Sequence, residues 1–371
     1  MPMTYEIHPA IGIARLGSSP LSTEEGYFLG PEPGVAPPAS YRDSAGYLKR
    51  QAARFRIFVC QRDETGTLLD AAEIRIGDIH KITWTVHLVN RKGVARRQFF
   101  SGPGFRNQAT GDDGTDHSLI IDPGPRSVSA QGERRVFDTG RFRTTPVKLG
   151  EICWLSDGRL LVLGGHGRSG SDPEQPRLSN QRGHFVDNDH WFDDTSDGPV
   201  VATVELSNGE IVESRAWAVV APPDFAPGIT NLVTLYDLLF DQAVQRGVLK
   251  APTDRDQPLS FTRHIQPILA RGMEYRWVNR QTYFGFDDNG KGHGYGSAAD
   301  FSNLWEVLAD PSPAAQARRA SIVGALRNPD RRARQPQGGW LIPRLSDAEW
   351  ARAGVDNVLP LTPTQYKIMQ A

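Results

Sequence analysis

Residues 200–220 read VVATVELSNGEIVESRAWAVV, and this stretch predicts the fold class. Two apolar runs flank the Ser-Asn-Gly at 207–209. An Asn-Gly pair reaches the positive φ angles of a tight turn at little cost, so the stretch is typical of a β-hairpin. Residues 149–163 show the same arrangement around the Ser-Asp-Gly at 156–158. We therefore predict two antiparallel hairpins.

Alternating side chains extend the β prediction toward the N-terminus. Residues 51–60 and 81–90 both place apolar and polar side chains in turn, from Phe55 to Val59 in the first segment. A period of two indicates a strand with one buried face. We predict a mainly β domain over residues 1–226, with antiparallel, sandwich-like sheets and long loops rich in Gly, Pro and Asp.

The pattern becomes helical after residue 227, and residues 227–371 are predicted to be a mostly helical segment. Thr230 is the expected N-cap of a first helix, and Gly247 suits the position just after its end. Its expected apolar stripe comprises Leu232, Leu235, Leu239 and Ala243.

Three more helices are expected in this segment. The second covers residues 261–277, where Pro267 should introduce a kink. Shorter helices are predicted over 300–308 and 314–326. Residues 329–339 are basic and contain Pro and Gly, which is typical of a surface loop.

The last residues predict the start of another helix. Residues 362–365 read TPTQ, which fits a capping box with proline at the first helical position. Residues 366–371 then leave room for fewer than two turns of about 3.6 residues each. Either this is a short docking turn, or the natural chain continues. We expect the latter, a chain truncated at its C-terminus.

Composition excludes several classes of protein. The 371 residues carry a formal net charge of −1, with 39% hydrophobic and 23% charged residues, so we expect no nucleic-acid partner. No apolar run approaches the ~20 residues of a membrane span, and residues 1–17 have no basic region followed by an apolar core, so we expect neither a membrane span nor a signal peptide. We expect a cytoplasmic protein, with leaderless export left open. Cys60 and Cys153 are expected to be reduced and buried.

Two motifs could indicate a binding site, but each can also be explained by an ordinary turn or loop. Residues 165–170 match GxGxxG, but the sequence after them cannot begin a helix cleanly, which argues against a dinucleotide site. Residues 187–198 contain five carboxylates and a histidine. Such a cluster could bind a hard cation, but Asp and Asn side chains more commonly cap backbone amides in loops. We predict no metal site.

Several blocks resemble one family in order along the whole chain. They are EIHPAIGIARLG (6–17), YFLGPE (27–32), KRQAARFRIF (49–58), TWTVHLVNRK (83–92), GRLLVLGGHG (158–167), DNDHWFDDTSDGPV (187–200), VVAPPDFAPGITNLVTLYD (219–237) and LTPTQY (361–366). The chain thus resembles the N-terminal portion of the LodA-like family of lysine ε-oxidases and glycine oxidases.

The resemblance implies an amino-acid oxidase that makes hydrogen peroxide. The family's cofactor is cysteine tryptophylquinone, built from a Cys and a Trp of the enzyme, and a flavoprotein partner is implied for its maturation. These cofactor residues belong to a C-terminal half after the LTPTQY block. We therefore expect no cofactor in these 371 residues and no activity from them alone, and the catalytic residues stay unknown.

The resemblance also implies that one aromatic residue of this region lines the substrate pocket. Phe192 is the candidate, with His190 and Asp189 beside it. A phenylalanine there, in place of tyrosine, would favour a small amino acid over lysine. Two alternatives stay open: a non-catalytic binding or structural protein derived from the family, and one half of a two-chain oxidase. A homo-oligomer is also left open.

Overall fold

A computed structural model describes the protein. It describes residues 3–32, 34–64, 66–74, 77, 80–94, 117–172, 190–254, 258–278, 305–324, 326, 328–330 and 361–371. The chain divides into two compact units, Met1–Asp224 and Phe225–Ala371.

The first unit is built from sixteen described strands, and the predicted β-rich class is confirmed. They are β1 (Met3–His8), β2 (Ile11–Arg15), β3 (Tyr27–Leu29), β4 (Arg50–Arg62), β5 (Leu68–Glu73), β6 (Lys81–Val86), β7 (Arg126–Val128), β8 (Arg134–Phe137), β9 (Arg141–Phe142), β10 (Thr145–Pro146), β11 (Gly150–Trp154), β12 (Leu160–Gly164), β13 (Ser169–Ser171), β14 (Trp191–Asp193), β15 (Ser196–Glu205) and β16 (Ile211–Ala221).

Most of these strands belong to one sheet. Along its main path the order is β7-β6-β15-β16-β2-β4-β12-β11-β8, and β1, β3 and β5 also pair with β4. The strands β9–β10 and β13–β14 form two small ribbons. The first half of β4 pairs with β3 and β12, and its second half pairs with β1 and β5. This long strand therefore connects the N-terminal segment to the rest of the sheet.

Strand β4 shows how alternation sorts its side chains. Phe55 and Ile57 are buried in the main hydrophobic cluster, whereas Arg54 and Arg56 point to the other face and pair with Glu32. The main cluster takes residues from twelve of the sixteen described strands, and alternate residues in the longer ones, so the core follows from the period of two that the sequence shows.

Both predicted hairpins are present. Strands β11 and β12 pair from Gly150 with Gly164, and β15 and β16 pair from Ser196 with Val220. The turn glycines Gly158 and Gly209 have φ angles of 86° and 82°. The expected strand over residues 81–90 is shorter than predicted, because β6 ends at Val86 and only isolated bridges follow.

The second unit contains five described α-helices: α1 (Leu235–Gln245), α2 (Gln266–Glu274), α3 (Trp305–Ala309), α4 (Pro313–Gly324) and α5 (Pro363–Gln370). Of the predicted spans, residues 300–304, 325 and 331–339 lie outside the described residues. No helix in the described part of the chain combines the length and the apolar character that crossing a membrane requires.

The first helix differs from its prediction. Its N-cap is Thr234 and not Thr230, because Thr234 and Asp237 form a reciprocal capping box. Gly247 does follow the end of the helix with a φ of 72°. The prediction that the apolar stripe forms the buried face of this helix is also wrong, since Leu235 and Leu239 are exposed while Asp241 is buried.

The second predicted helix is interrupted where proline was expected to act. A π-helical turn spans Phe261–Ile265, and α2 begins at Gln266 with Pro267 in its first turn. Proline lacks an amide hydrogen, so it is tolerated at the start of a helix and not in the interior.

The predicted capping box at the last helix is confirmed. Thr362 accepts from the Gln365 amide, and the Gln365 side chain accepts from the Thr362 amide. Asp241 of α1 accepts a hydrogen bond from the Thr364 amide at 2.8 Å. This short helix is docked, since Ile368 and Met369 are buried, and Met369 joins the second unit's hydrophobic cluster.

Candidate functional site

Part of the segment with the candidate pocket residues forms a short, buried strand of the first unit. Strand β14 pairs antiparallel with β13, so that Phe192 lies opposite Gly170. Residues 191–194 are all buried, which is unusual for a segment with two carboxylates. The site therefore depends on what satisfies Asp193 and Asp194.

Asp193 is held by a network of donors. Asn90 donates from Nδ2 to Asp193 Oδ1 at 2.9 Å, and Thr195 donates to the same oxygen from its hydroxyl at 2.6 Å. Lys92 Nζ lies 2.6 Å from Asp193 Oδ2 and 5.8 Å from the centre of the Trp191 ring. These contacts satisfy the carboxylate and fix the direction of β14.

Asp194 lies in a different electrostatic environment from Asp193. It is 1% exposed, and within the described residues neither carboxylate oxygen has a hydrogen-bond partner of normal geometry. Burial raises the pKa of Asp194 to about 6, against the opposing effect of the backbone amides of Arg168 and Gly167. A carboxyl with this pKa can gain or lose a proton near neutral pH.

The loop that faces Asp194 needs a small residue. A Cβ added to Gly165 would lie 2.3 Å from Asp194 Oδ2, so a side chain there would collide with the carboxyl group. Gly167 follows with a φ of 74°, and residues 169–171 form β13. The GxGxxG motif thus runs into a strand and not a helix, which removes the amide cluster that a dinucleotide site needs.

The predicted pocket residues differ in their surroundings. Phe192 is 5% exposed and its ring centre lies 5.6 Å from that of Phe142, in the main hydrophobic cluster. His190 Nδ1 lies 3.1 Å from the carbonyl oxygen of Asp172. Asp189 lies outside the described residues. These contacts are packing and backbone contacts, and the role of Phe192 and His190 in binding stays a prediction.

A separate cavity of about 600 Å³ lies on the outer face of β4. Its polar lining includes His8, Glu32, Arg54 and Arg56 among mainly apolar neighbours. Glu32 Oε1 lies 2.8 Å from Arg54 and 2.6 Å from Arg56, so one carboxylate partly neutralises the two guanidinium groups. Sequence reasoning missed this cavity because its walls come from residues 8–71, and only the arginine alternation in β4 pointed toward it.

The described cysteines do not fit a cysteine–tryptophan cross-link at Cys153 and Trp154. Consecutive residues of a strand point to opposite faces. Cys153 packs with Leu161 and Leu163, whereas Trp154 belongs to the main hydrophobic cluster. Burial raises the pKa of the other thiol, Cys60, which lies near Glu6 and His8.

Comparisons with known proteins agree with this architecture. A family model described as L-Lysine epsilon oxidase N-terminal matches residues 8–220. A curated relative, the L-lysine 6-oxidase of Marinomonas mediterranea, is 31% identical over 365 residues, covering 81% of this chain and 47% of the relative.

Solved structures from the same organism are also similar. The crystal structure of its L-Lys ε-oxidase aligns with a TM-score of 0.67 and 27% identity, over 88% of this chain and 50% of that chain. The structure of its Schiff base intermediate with L-Lys gives a TM-score of 0.65, with 27% identity over 88% of this chain and 51% of that one. A third structure shares the fold, with a TM-score of 0.72, 24% identity and coverage of 99% and 60%. The chain thus spans about half the length of the relatives it matches.

Proposed function

The chain belongs to the L-lysine ε-oxidase family, and from that premise we propose that these residues form the scaffold and one wall of the substrate site of an amino-acid oxidase. The family match confirms the resemblance that the sequence blocks indicate. The observation that carries the proposal is that this match covers residues 8–220, most of the β-rich unit, and includes the buried segment 191–194.

The proposed reaction is oxidation of an amino-acid amine. Amine, dioxygen and water give an aldehyde or keto acid, ammonia and hydrogen peroxide. The family resemblance implies that the cofactor residues follow the LTPTQY block, so we assign the quinone cofactor implied by the family to residues outside these 371. The role proposed for this region is to hold Phe192 at the substrate, through the contacts of Asp193 with Asn90, Lys92 and Thr195.

The first test compares the chain alone with a chimera. The 371 residues alone should show no quinone staining and no peroxide with lysine or glycine. Replacing the matching half of the Marinomonas L-lysine 6-oxidase with this chain, and expressing the chimera with a maturation flavoprotein, should yield peroxide. Quinone staining of the chain alone would contradict the first expectation. A folded chimera that carries the quinone but forms no peroxide would contradict the second.

The second test concerns the substrate. Phe192 lacks a phenol hydroxyl, so we propose that the site favours a small amino acid over lysine. In the chimera, Phe192→Tyr should raise kcat/KM for lysine relative to glycine. Phe137→Tyr adds the same hydroxyl at another buried position of the same cluster and should leave the ratio unchanged. Equal ratios in all three proteins would show that Phe192 does not select the substrate.

A further inference from the structure

Three potential metal ligands of different types converge where the first strand pairs with β4. Glu6 and His8 lie on β1, and Cys60 lies near the end of β4. One ligand atom from each residue lies within 4.8 Å of the others. We propose that Glu6, His8 and Cys60 form a binding site for a zinc-class divalent cation.

The strand register explains the convergence. Glu6 and His8 are two residues apart, so both side chains point to the same face of β1. Cys60 lies directly opposite Thr4 in the antiparallel pair, which places its side chain on that face too. His8 Nε2 is already 3.6 Å from Glu6 Oε2.

The ligand types indicate the class of metal. Thiolate, imidazole and carboxylate together suit zinc, with bonds of about 2.3 Å to sulfur and about 2.0–2.2 Å to nitrogen and oxygen. Magnesium and calcium prefer oxygen ligands alone. Three protein ligands leave a fourth tetrahedral position for water or a small ligand, as in open zinc sites. Closing the triad onto one ion needs side-chain rotations and no change of strand register.

Glu6 is held by the Arg62 guanidinium, which a metal would have to displace in part. Arg62 donates from Nε to Glu6 Oε1 and from a terminal nitrogen to Oε2, each at 2.9 Å. Metal binding at Oε2, the oxygen nearest His8, requires that Arg62 gives up its hydrogen bond to this oxygen and keeps the one to Oε1.

Deprotonation of the Cys60 thiol costs free energy when a metal binds. A metal must displace the proton of this thiol when it binds, because the thiolate is the form that coordinates. A divalent charge between thiolate and carboxylate supplies that driving force, because a coordinating thiol is deprotonated by the ion. His8 and Phe58 also line the cavity on β4, so the metal would lie beside a space that can hold a small molecule.

Cobalt titration tests the proposal on the untagged, metal-free full chain. We expect one equivalent of Co²⁺ to bind with a thiolate-to-cobalt charge-transfer band, and Zn²⁺ to displace it. Cys60→Ser should abolish the band. His8→Asn should weaken Zn²⁺ binding at least tenfold, since even loss of an outer-shell partner lowers affinity about 10–100-fold.

Matched controls separate the site from general effects. Cys153→Ser removes the other buried cysteine, and His80→Asn removes an exposed histidine of the same unit; both should bind cobalt like the parent. If Cys60→Ser fails to fold, His8→Asn still decides, because the His8 side chain is 50% exposed and can be replaced without loss of core. Absence of the band in the parent, or an unchanged band in both Cys60→Ser and His8→Asn, would overturn the proposal.

Discussion

Arg50 and Glu151 form an ion pair that is removed from solvent, with side-chain exposures of 0% and 2%. Arg50 donates to Glu151 Oε1 at 2.8 Å, and Ser22 donates to the same oxygen at 2.6 Å. Burial by itself would raise the pKa of Glu151, but the hydrogen bonds and charges of Ser22, Arg50 and Arg134 lower it to about 2. The pair thus ties β4 to β11 across the sheet.

Removing one partner of this pair should be costly. Glu151→Gln leaves the buried Arg50 without its counter-charge, and we expect a loss of about 3–5 kcal/mol in the free energy of unfolding. Glu213→Gln breaks an exposed ion pair with Arg215 and should cost less than about 1 kcal/mol. Urea denaturation of the two variants measures both values. Equal losses would contradict the assignment.

Asp194 should make stability depend on pH in the opposite direction from an ordinary paired carboxylate. Its folded pKa of about 6 exceeds the unfolded value near 3.9, so the folded state holds the proton more tightly between those pH values. Stability from this group is therefore present at low pH and decreases as pH rises from about 4 to about 6. The full effect is of the order of 2–3 kcal/mol.

The variant Asp194→Asn isolates this effect, because an amide does not titrate. Stability measured for the parent and the variant between pH 4 and pH 7 should shift in favour of Asp194→Asn as pH increases. The difference should level off above the folded pKa. A difference that stays constant over the range would show that Asp194 is not protonated in the folded state.

At the scale of elements, the β15–β16 hairpin depends on two glycines for different reasons. Gly209 has a φ of 82° and open space around it. Gly209→Ala should therefore reduce the free energy of unfolding only by the cost of a left-handed backbone, about 1–2 kcal/mol. A Cβ on Gly198 would lie 1.8 Å from the carbonyl oxygen of His87, so Gly198→Ala must displace backbone and should cost several kcal/mol.

Gly228→Ala is the control for both substitutions. This glycine has neither a positive φ nor a neighbour within 4 Å of the added Cβ. We expect no loss of stability from it. Thermal unfolding of the three variants should rank Gly198→Ala below Gly209→Ala, and Gly209→Ala below Gly228→Ala. Any other order would contradict the assigned causes.

Helix α1 shows where pattern reading fails at this scale. The spacing of its leucines indicates an apolar face, yet Leu235 and Leu239 are exposed and Asp241 is buried. Asp241 accepts from the Thr364 amide, a contact between residues far apart in the chain. Helical periodicity cannot predict such a contact, because it depends on which later segment packs against the helix.

At the scale of the molecule, the β-rich unit has its own core. Its main hydrophobic cluster and its sheet are formed entirely by residues before 225. Residues 1–224 alone should therefore fold, with a β-type circular dichroism spectrum and one cooperative unfolding transition. A fragment without a cooperative transition would show that this unit depends on residues after 224.

The sequence by itself determined the β-rich class, both hairpins, the last capping box and the family. These depend on local signals, namely alternation, Asn-Gly and Asp-Gly turns, and short blocks of residues, which act within a few positions of the chain. It singled out Phe192 and His190 as candidates, whose role in binding is still a prediction, and the structure shows that Phe192 lies in a strand paired with β13.

Only the tertiary structure brought together Glu6, His8 and Cys60, paired Arg50 with Glu151, and opened the cavity on β4. Each of these depends on the register between strands that are distant in the chain, such as Thr4 opposite Cys60. A shift of one residue would turn every side chain of a strand to the other face. Local patterns leave that register open, and hydrogen bonding together with burial of the shared core decides it.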